Sequence, residues 1–253
     1  MRGYDILGNI ALIKFDRDDK LSDKKKFARE FMAQNKNVRT ILEKADKISG
    51  RLRTPKTKYI LGEKTKEALY KENNCVFRFN VDTCYFSPRL ANERLEIAKM
   101  VKKNEKVLVL FGGIAPFAIV IAKNSKAKRI VSVELGRACY PYAKDNVKRN
   151  KVNVKVIQGD VRKKLPLMNE YFGRIIMARP NLKDSFLDVT FPRIKKGIIH
   201  YYGFYHEGDV EKLKKMIFDE AKKAKKKIKI LRIKKAGEIG VRKYRYRVDI
   251  KVS

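Results

Sequence analysis

Two carboxylates and a glycine turn fall at strand-end spacing in the middle of this chain. The turn Phe111-Gly-Gly-Ile-Ala-Pro-Phe117 follows a short apolar run, and glycines there let a backbone approach a ligand that a β-carbon would block. Glu134 comes about 20 residues later, at the end of the next apolar run, where a carboxylate accepts hydrogen bonds from both hydroxyls of a ribose. Gly159-Asp160 closes a third run, placing a second carboxylate where it can accept from an adenine amino group. Ribose acceptor and then adenine acceptor at successive strand ends describe an S-adenosylmethionine pocket. The glycine turn alone carries little weight, because it lacks the third glycine of Gly-x-Gly-x-x-Gly. The plainer reading makes Glu134 and Asp160 helix N-caps or surface acids.

An arginine- and carboxylate-bearing segment, Phe86-Ser-Pro-Arg-Leu-Ala-Asn-Glu-Arg94, lies just upstream of the apolar run that leads into this turn. Taken by themselves, Glu93 reads as a first-turn glutamate facing a helix dipole and Arg53 as a solvated strand residue.

Elements that would position these groups follow from periodicity. Residues 4–15 read as a strand with a turn at Gly8, and Ser22 to Asn35 as a helix with Ser22 as its N-cap. Val38 to Leu42 and Arg51 to Leu61 read as strands. Ala68 to Asn80 reads as two strands joined at Glu72-Asn-Asn74, since asparagine tolerates the positive φ of a tight turn. Downstream the rhythm becomes strand, helix, strand. Helices are expected over Pro88 to Lys102, Phe117 to Ala127, Ala138 to Asn150 and Val210 to Lys226. Strands are expected over Lys106 to Phe111, Arg129 to Glu134, Val154 to Gln158, Arg174 to Met177 and Gly197 to Tyr202. A closing antiparallel hairpin is expected from Ile228 to Ile233 and Tyr244 to Val252. Such alternation implies an α/β fold with a doubly wound, mostly parallel sheet that holds ligands at the carboxyl ends of its strands.

Composition bounds the partner. The chain has 253 residues, 44% of them apolar, with 62 Lys and Arg against 28 Asp and Glu and a formal charge of +34. That charge is spread along the whole length, and a field of this size favours a polyanion, nucleic acid being the usual one. Cys75, Cys84 and Cys139 show no Cys-x-x-Cys spacing, and His200 and His206 lie far from them, so no metal site is expected. The N-terminus lacks the apolar core of a signal peptide, and no run approaches a membrane span. A soluble, cytoplasmic monomer is expected.

The chain resembles the archaeal and eukaryotic tRNA (guanine-37-N1)-methyltransferase family, which includes wyosine-pathway enzymes. The likeness runs from Tyr4-Asp-Ile-Leu-Gly-Asn-Ile-Ala11 through Phe86-Ser-Pro-Arg-Leu-Ala-Asn-Glu-Arg94, the glycine turn, Asn146-Val-Lys-Arg-Asn-Lys-Val152 and Ile198-Ile-His-Tyr-Tyr-Gly-Phe204. It implies a small N-terminal α+β RNA-binding domain over 1–85 and a class I, Rossmann-like methyltransferase domain over 86–253. The donor would be S-adenosylmethionine, held by Tyr85, Phe111, Gly113, Glu134, Leu135, Asp160 and Val161. The acceptor would be guanosine 37 of a tRNA anticodon stem-loop, with Arg89, Arg179 and Pro180 on the tRNA side. Glu93, in the family's Thr-Glu-Arg position, would remove the N1 proton. Arg53 would support O6, with Arg51 as the fallback.

Two departures bear on those roles. The family's Asp-x-Phe-Ala-Gly-x-Gly is here Val109-Leu-Phe-Gly-Gly-Ile-Ala115, and its Asn-x-Pro-Pro or Asn-Leu-Pro is Ala178-Arg-Pro180. Alanine offers the target base no amide. Wyosine-type chemistry is therefore an alternative: methylation of a tricyclic guanosine at carbon, or transfer of the aminocarboxypropyl arm. A non-catalytic tRNA-binding homologue is a further one.

Overall fold

The computed structural model describes residues 3–44 and 56–253. Arg51 and Arg53 lie outside the described residues, so their expected role is not placed by the structure.

The N-terminal unit begins with a hairpin of β1 (Tyr4–Leu7) and β2 (Ile10–Ile13), followed by α1 (Leu21–Gln34), β3 (Thr40–Lys44) and β4 (Thr57–Gly62). The four strands form one sheet in the order β1-β2-β3-β4, with β2 and β3 parallel. Every residue of β2 is buried. Ala11 and Ile13 pack with Ala28 and Phe31 of α1, while Ile10 and Leu12 join the main core. Helix α1 starts after Lys20, whose side chain makes no cap; Ser22 is already inside the first turn and reaches only Asp23.

A separate two-stranded hairpin follows, β5 (Glu67–Glu72) and β6 (Cys75–Asn80). Its turn uses Asn73 (φ 47°) and Asn74 (φ 60°), both in the left-handed conformation that asparagine tolerates. Both outer edges are closed by asparagine amides. On the β5 side Asn9 accepts from the Leu69 amide at 2.7 Å and donates to the Glu67 carbonyl at 3.2 Å. Gly8 (φ 65°) lies so close to this strand that a Cβ would fall 1.9 Å from the Leu69 carbonyl oxygen.

The remainder is the strand and helix alternation: α2 (Ala91–Met100), β7 (Lys106–Leu110), α3 (Pro116–Asn124), β8 (Arg129–Glu134), α4 (Cys139–Arg149), β9 (Lys155–Gln158), α5 (Val161–Lys164), β10 (Arg174–Met177), α6 (Leu187–Thr190), β11 (Gly197–His206), α7 (Val210–Lys223), β12 (Ile228–Gly240) and β13 (Lys243–Val252). A 3₁₀ turn at Pro88–Leu90 leads into α2, so the helix expected from Pro88 starts its α-helical part at Ala91. The seven-stranded sheet runs β12-β13-β11-β10-β7-β8-β9, with β13 antiparallel to its neighbours. Strand order reverses between β7 and β10, which makes the carboxyl end of that pair the binding crevice. Helix α4 closes the second edge of the small hairpin. Asn146 pairs with the Arg78 amide and carbonyl at 2.8 and 3.0 Å, and Asn150 with those of Val76, both at 2.7 Å.

A chain of buried polar groups crosses β10, β11 and β13. Arg174 binds Glu105 at 3.0 Å and donates to His200 Nε2 at 2.6 Å. Arginine can only donate, so His200 carries its proton on Nδ1 and gives it to Asp249 at 2.6 Å. Asp249 in turn accepts from Arg247 at 3.2 Å. Burial holds His200 below its ordinary pKa, against the pull of Asp249. Burial pushes the Asp249 carboxyl up, but His200 and Arg247 outweigh it and hold it below its ordinary value.

Two stability outcomes follow from this arrangement. Asn146→Ala and Asn150→Ala each strip the partners from one amide and one carbonyl at the hairpin edge and are expected to cost about 2–3 kcal/mol. Equilibrium urea unfolding reads this, with the exposed Lys148→Ala in the same helix as a control expected within about 0.5 kcal/mol. Losses no larger than the control's would show that the amides do not hold the hairpin. The unfolded chain binds a proton at histidine near pH 6.5 whereas folded His200 resists it, so stability is expected to fall as pH drops below about 6.5. Asp249, with its folded pKa depressed, adds a further loss below about pH 4. Thermal midpoints that stay flat from pH 7 to 5 would contradict a neutral buried His200.

Candidate active site

A deep cavity sits at the carboxyl ends of β7, β8, β10 and β11, with a volume of about 1180 Å³ including its open mouth. Its wall contains all seven residues expected on the cofactor side: Tyr85, Phe111, Gly113, Glu134, Leu135, Asp160 and Val161. Strand ends deliver them. β7 runs into the glycine turn, β8 ends on Glu134, and β9 is followed by Asp160.

Glu134 is buried and ties two turns together. Its Oε2 accepts from the Gly113 amide and its Oε1 from the Gly136 amide, each at 2.6 Å. Burial pushes its carboxyl above its ordinary pKa, an effect that the amides of Gly136, Gly113 and Leu135 oppose. Each carboxylate oxygen has two lone pairs, so ribose hydroxyls remain possible partners. Asp160 combines both of its readings: it faces the cavity and also caps α5, accepting from the Arg162 amide at 2.9 Å. At Gly113 (φ 56°) the nearest atom to an added Cβ is the Tyr85 carbonyl at 3.7 Å, so the loop leaves open space at the cavity wall. A purine nucleoside fits these acceptors, with an acid at each strand end and apolar walls from Phe111, Leu135 and Val161.

On the other side the structure departs from expectation. Glu93 is buried but does not line the cavity. Its Oε1 accepts from Tyr202 at 3.1 Å and from Arg247, and its Oε2 from Lys234 at 2.9 Å. The reason is helical geometry: Leu90 and Arg94, four residues apart, share the face that lines the cavity, and Glu93 turns toward β11, β12 and β13. Arg94 itself is locked by Glu72, with Nη2 to Oε2 at 2.5 Å, and lies 4.9 Å from the Phe86 ring.

The three residues assigned to the tRNA side separate. Pro180 lines the cavity, as does Ala178, whose methyl group stands in the wall without any polar atom. Arg179 also lines it, yet it is 5% exposed and braces its own loop, donating to the Leu182 and Asp184 carbonyls, with its guanidinium 5.4 Å from the Tyr201 ring. It is therefore a loop brace in this structure rather than an open phosphate-binding cation. Arg89 lies outside the cavity wall, exposed and paired with Asp5 of β1 at 2.9 Å. Burial pushes the Asp5 carboxyl up, but Lys44 and Arg89 outweigh it and hold it below its ordinary value.

Sequence reasoning assigned no role to Tyr202, Phe204 or Arg245, which complete the wall. Arg245 Nη2 reaches the Tyr85 hydroxyl at 3.4 Å, and its guanidinium lies 5.3 Å from the Phe204 ring. Tyr202 and Phe204 belong to the Ile-His-Tyr-Tyr-Gly-Phe signature, which was a sign of their importance; Arg245 carried none. Among the described residues no cluster of His, Cys, Asp and Glu could hold a metal ion, and no helix is long and apolar enough to cross a membrane.

Comparison with known proteins converges on one family. The model of the TRM5/TYW2 methyltransferase domain matches residues 68–231, and that of the TYW2 N-terminal domain residues 1–65. A relative from Nanoarchaeum equitans, tRNA (guanine(37)-N(1))/4-demethylwyosine(37)-methyltransferase Taw22, is 37% identical over 98% of both chains. The crystal structure of Trm5b from Pyrococcus abyssi superposes with a TM-score of 0.88 at 34% identity, covering 99% of this chain and 75% of that one. The M. jannaschii TYW2 structure in complex with AdoMet gives 0.77 at 25% identity, covering 99% of both. With its sheet order, its cavity and these matches in agreement, the chain belongs to the TRM5/TYW2 methyltransferase family.

Proposed function

We propose that this chain is an S-adenosylmethionine-dependent tRNA methyltransferase that forms N1-methylguanosine at position 37. The observation that supports the reading is the cavity itself, whose wall holds Glu134 and Asp160 beside β8 and β9 together with Tyr202, Phe204 and Pro180. S-adenosylmethionine, which a TYW2 relative binds, supplies a methyl group activated by a sulfonium. Glu134 would accept from the ribose and Asp160 from the adenine amino group, while the Phe111-Gly-Gly113 turn faces the methionine end.

Guanine N1 holds its proton at neutral pH and is a poor nucleophile until the proton leaves. Glu93, held behind the cavity wall, is the carboxylate proposed to receive it. Arg53 is proposed to hold the charge that moves onto O6, since a guanidinium stays charged and donates in fixed geometry. A base within the anticodon loop must turn out of its stack, and Tyr85, Phe204 and Pro180 offer surfaces on which it can rest. Arg89, exposed at the surface, is proposed to exchange Asp5 for a phosphate.

A second activity is favoured by Ala178. A wall that gives the base a methyl group in place of an amide suits a larger, tricyclic guanosine, and the Nanoarchaeum relative's name couples guanine-N1 with 4-demethylwyosine methylation. We infer that both acceptors are candidates for this chain.

Incubation with unmodified tRNA transcripts and S-adenosylmethionine, followed by nucleoside mass spectrometry, is expected to give N1-methylguanosine mapped to position 37. Glu93→Gln is expected to slow the reaction by about 10²-fold or more. Transcripts left unmodified, while tRNA carrying 4-demethylwyosine gains a methyl group, would replace the first activity with the second. No product on either would remove both. With +34 formal charges on the chain, tRNA affinity is expected to fall on the order of a thousandfold between about 50 and 200 mM salt. A flat salt dependence in filter binding would contradict a phosphate-dominated interface.

A further inference from the structure

The structure leaves Glu93 one residue short of the cavity, and one side chain spans the gap. Among the described residues, Glu93 is hydrogen-bonded to Tyr202, Arg247 and Lys234, and of these three Tyr202 alone also lines the cavity. Tyr202 sits on β11, its ring against Phe117 at 5.9 Å and its hydroxyl 3.1 Å from Glu93 Oε1. We propose that Tyr202 is a catalytic proton relay, passing the proton of the target ring nitrogen from the cavity to Glu93. The inference rests on the reading of Glu93 as the proton acceptor.

The chemistry of the phenol selects a relay over a base. Burial, and then the negative charge of Glu93, push the Tyr202 hydroxyl well above its ordinary pKa, so it remains protonated. A protonated phenol can accept a proton only while giving up its own. In the step, the N1–H bond of the base breaks and that proton forms a bond to Tyr202 Oη. The original Oη proton moves to Glu93 Oε1, and the N–H electron pair stays on N1 for attack on the methyl group. Tyr202 ends unchanged and Glu93 ends neutral.

The surroundings of Glu93 suit this transfer. Arg247 is fully buried and held by Glu96 at 2.7 Å and Asp249 at 3.2 Å, so Glu93 Oε1 has a fixed position facing the phenol. When Glu93 takes the proton, the charges of Arg247 and Lys234 are no longer cancelled by it. They then lie behind the wall of a cavity that holds an anionic base, where a low dielectric makes them most effective.

Tyr202→Phe keeps the ring and deletes the relay oxygen, while Arg247 and Lys234 still hold Glu93. Its thermal midpoint, S-adenosylmethionine affinity by calorimetry and tRNA affinity are expected to stay near those of the parent chain. Single-turnover methyl transfer is expected to fall by about 10²-fold or more, as in Glu93→Gln. The double variant is expected to be no slower than either single one, because the two groups act on one proton path. In mixtures of H₂O and D₂O the parent rate is expected to curve with deuterium fraction, as two protons in flight require. Tyr202→Phe within about threefold of the parent, with Glu93→Gln inactive, would overturn the relay and leave Glu93 as the acceptor. Full activity in Glu93→Gln would overturn the acceptor reading and the relay together. Should Tyr202→Phe lose its fold or its affinity for S-adenosylmethionine, the parent chain decides: a linear dependence on deuterium fraction, meaning one proton in flight, overturns the relay.

Discussion

The β5–β6 hairpin has two open edges, and among the described residues asparagine side chains cap both of them. A two-stranded hairpin is marginal alone in water. Here Asn9 fills the β5 edge from the N-terminal sheet, and Asn146 and Asn150 fill the β6 edge from α4. Each amide acts as a short piece of strand, offering one donor and one acceptor to a backbone that has no other partner there. The hairpin is thereby a seam between the small sheet and the large one, and Phe77 and Phe79 seal it from within. Its chain exit is Tyr85-Phe86-Ser87, which forms part of the cavity wall. The Asn-bearing motifs at residues 4–11 and 146–152 thus hold the hairpin from which the chain passes on to the cavity wall.

A second constraint concerns charge. The buried network and its rim hold four carboxylates, Glu93, Glu96, Glu105 and Asp249, against four cations, Arg174, Arg232, Arg247 and Lys234. Those charges cancel, as burial demands, because an unpaired ion there would cost several kcal/mol. The formal charge of +34 thus belongs to the rest of the chain. Two kinds of electrostatics operate in one molecule: a balanced interior that fixes side-chain geometry near the cavity, and an unbalanced surface that attracts a polyanion over distance.

Much of this was legible in sequence, and the failures have physical causes. Strands Arg129–Glu134 and Arg174–Met177 have the bounds their apolar runs suggest, and Asn73-Asn74 makes the left-handed turn its residue types allow. Strand β12 continues to Gly240, beyond the expected end at Ile233, because register shifts near Ile230, Lys235 and Glu238 break the alternation on which period counting relies. Arg245, Arg247 and Asp249 alternate with Tyr246, Val248 and Ile250, and period alone does not show that the polar set is covered; here Glu93 and Glu96 of α2 pair with Arg247, which is fully buried. The contact between Tyr202 and Glu93 joins residues 109 positions apart and leaves no local trace. Helices α5 and α6 are four residues each, too short to show a period.

The glycine turn shows how a departure from a family pattern can be absorbed. Phe111, Gly113 and Ala115 all adopt positive φ, at 60°, 56° and 66°, and two of the three are not glycine. A Cβ in this conformation costs roughly 1–2 kcal/mol per residue, so the turn would not hold this shape unaided. The surroundings supply the difference. Glu134 grips the Gly113 amide, the Phe111 ring packs edge-on against Phe186 at 4.9 Å, and Ile114 and Ala115 are fully buried. Alanine in place of the motif's last glycine therefore strains the turn without opening it, because packing and one carboxylate over-determine its conformation. Position 178 has no such compensation, since a methyl group in the wall cannot replace an amide whatever surrounds it. The glycine lost at Ala115 is thus compensated within the fold, whereas the amide lost at Ala178 falls on whatever base enters the cavity.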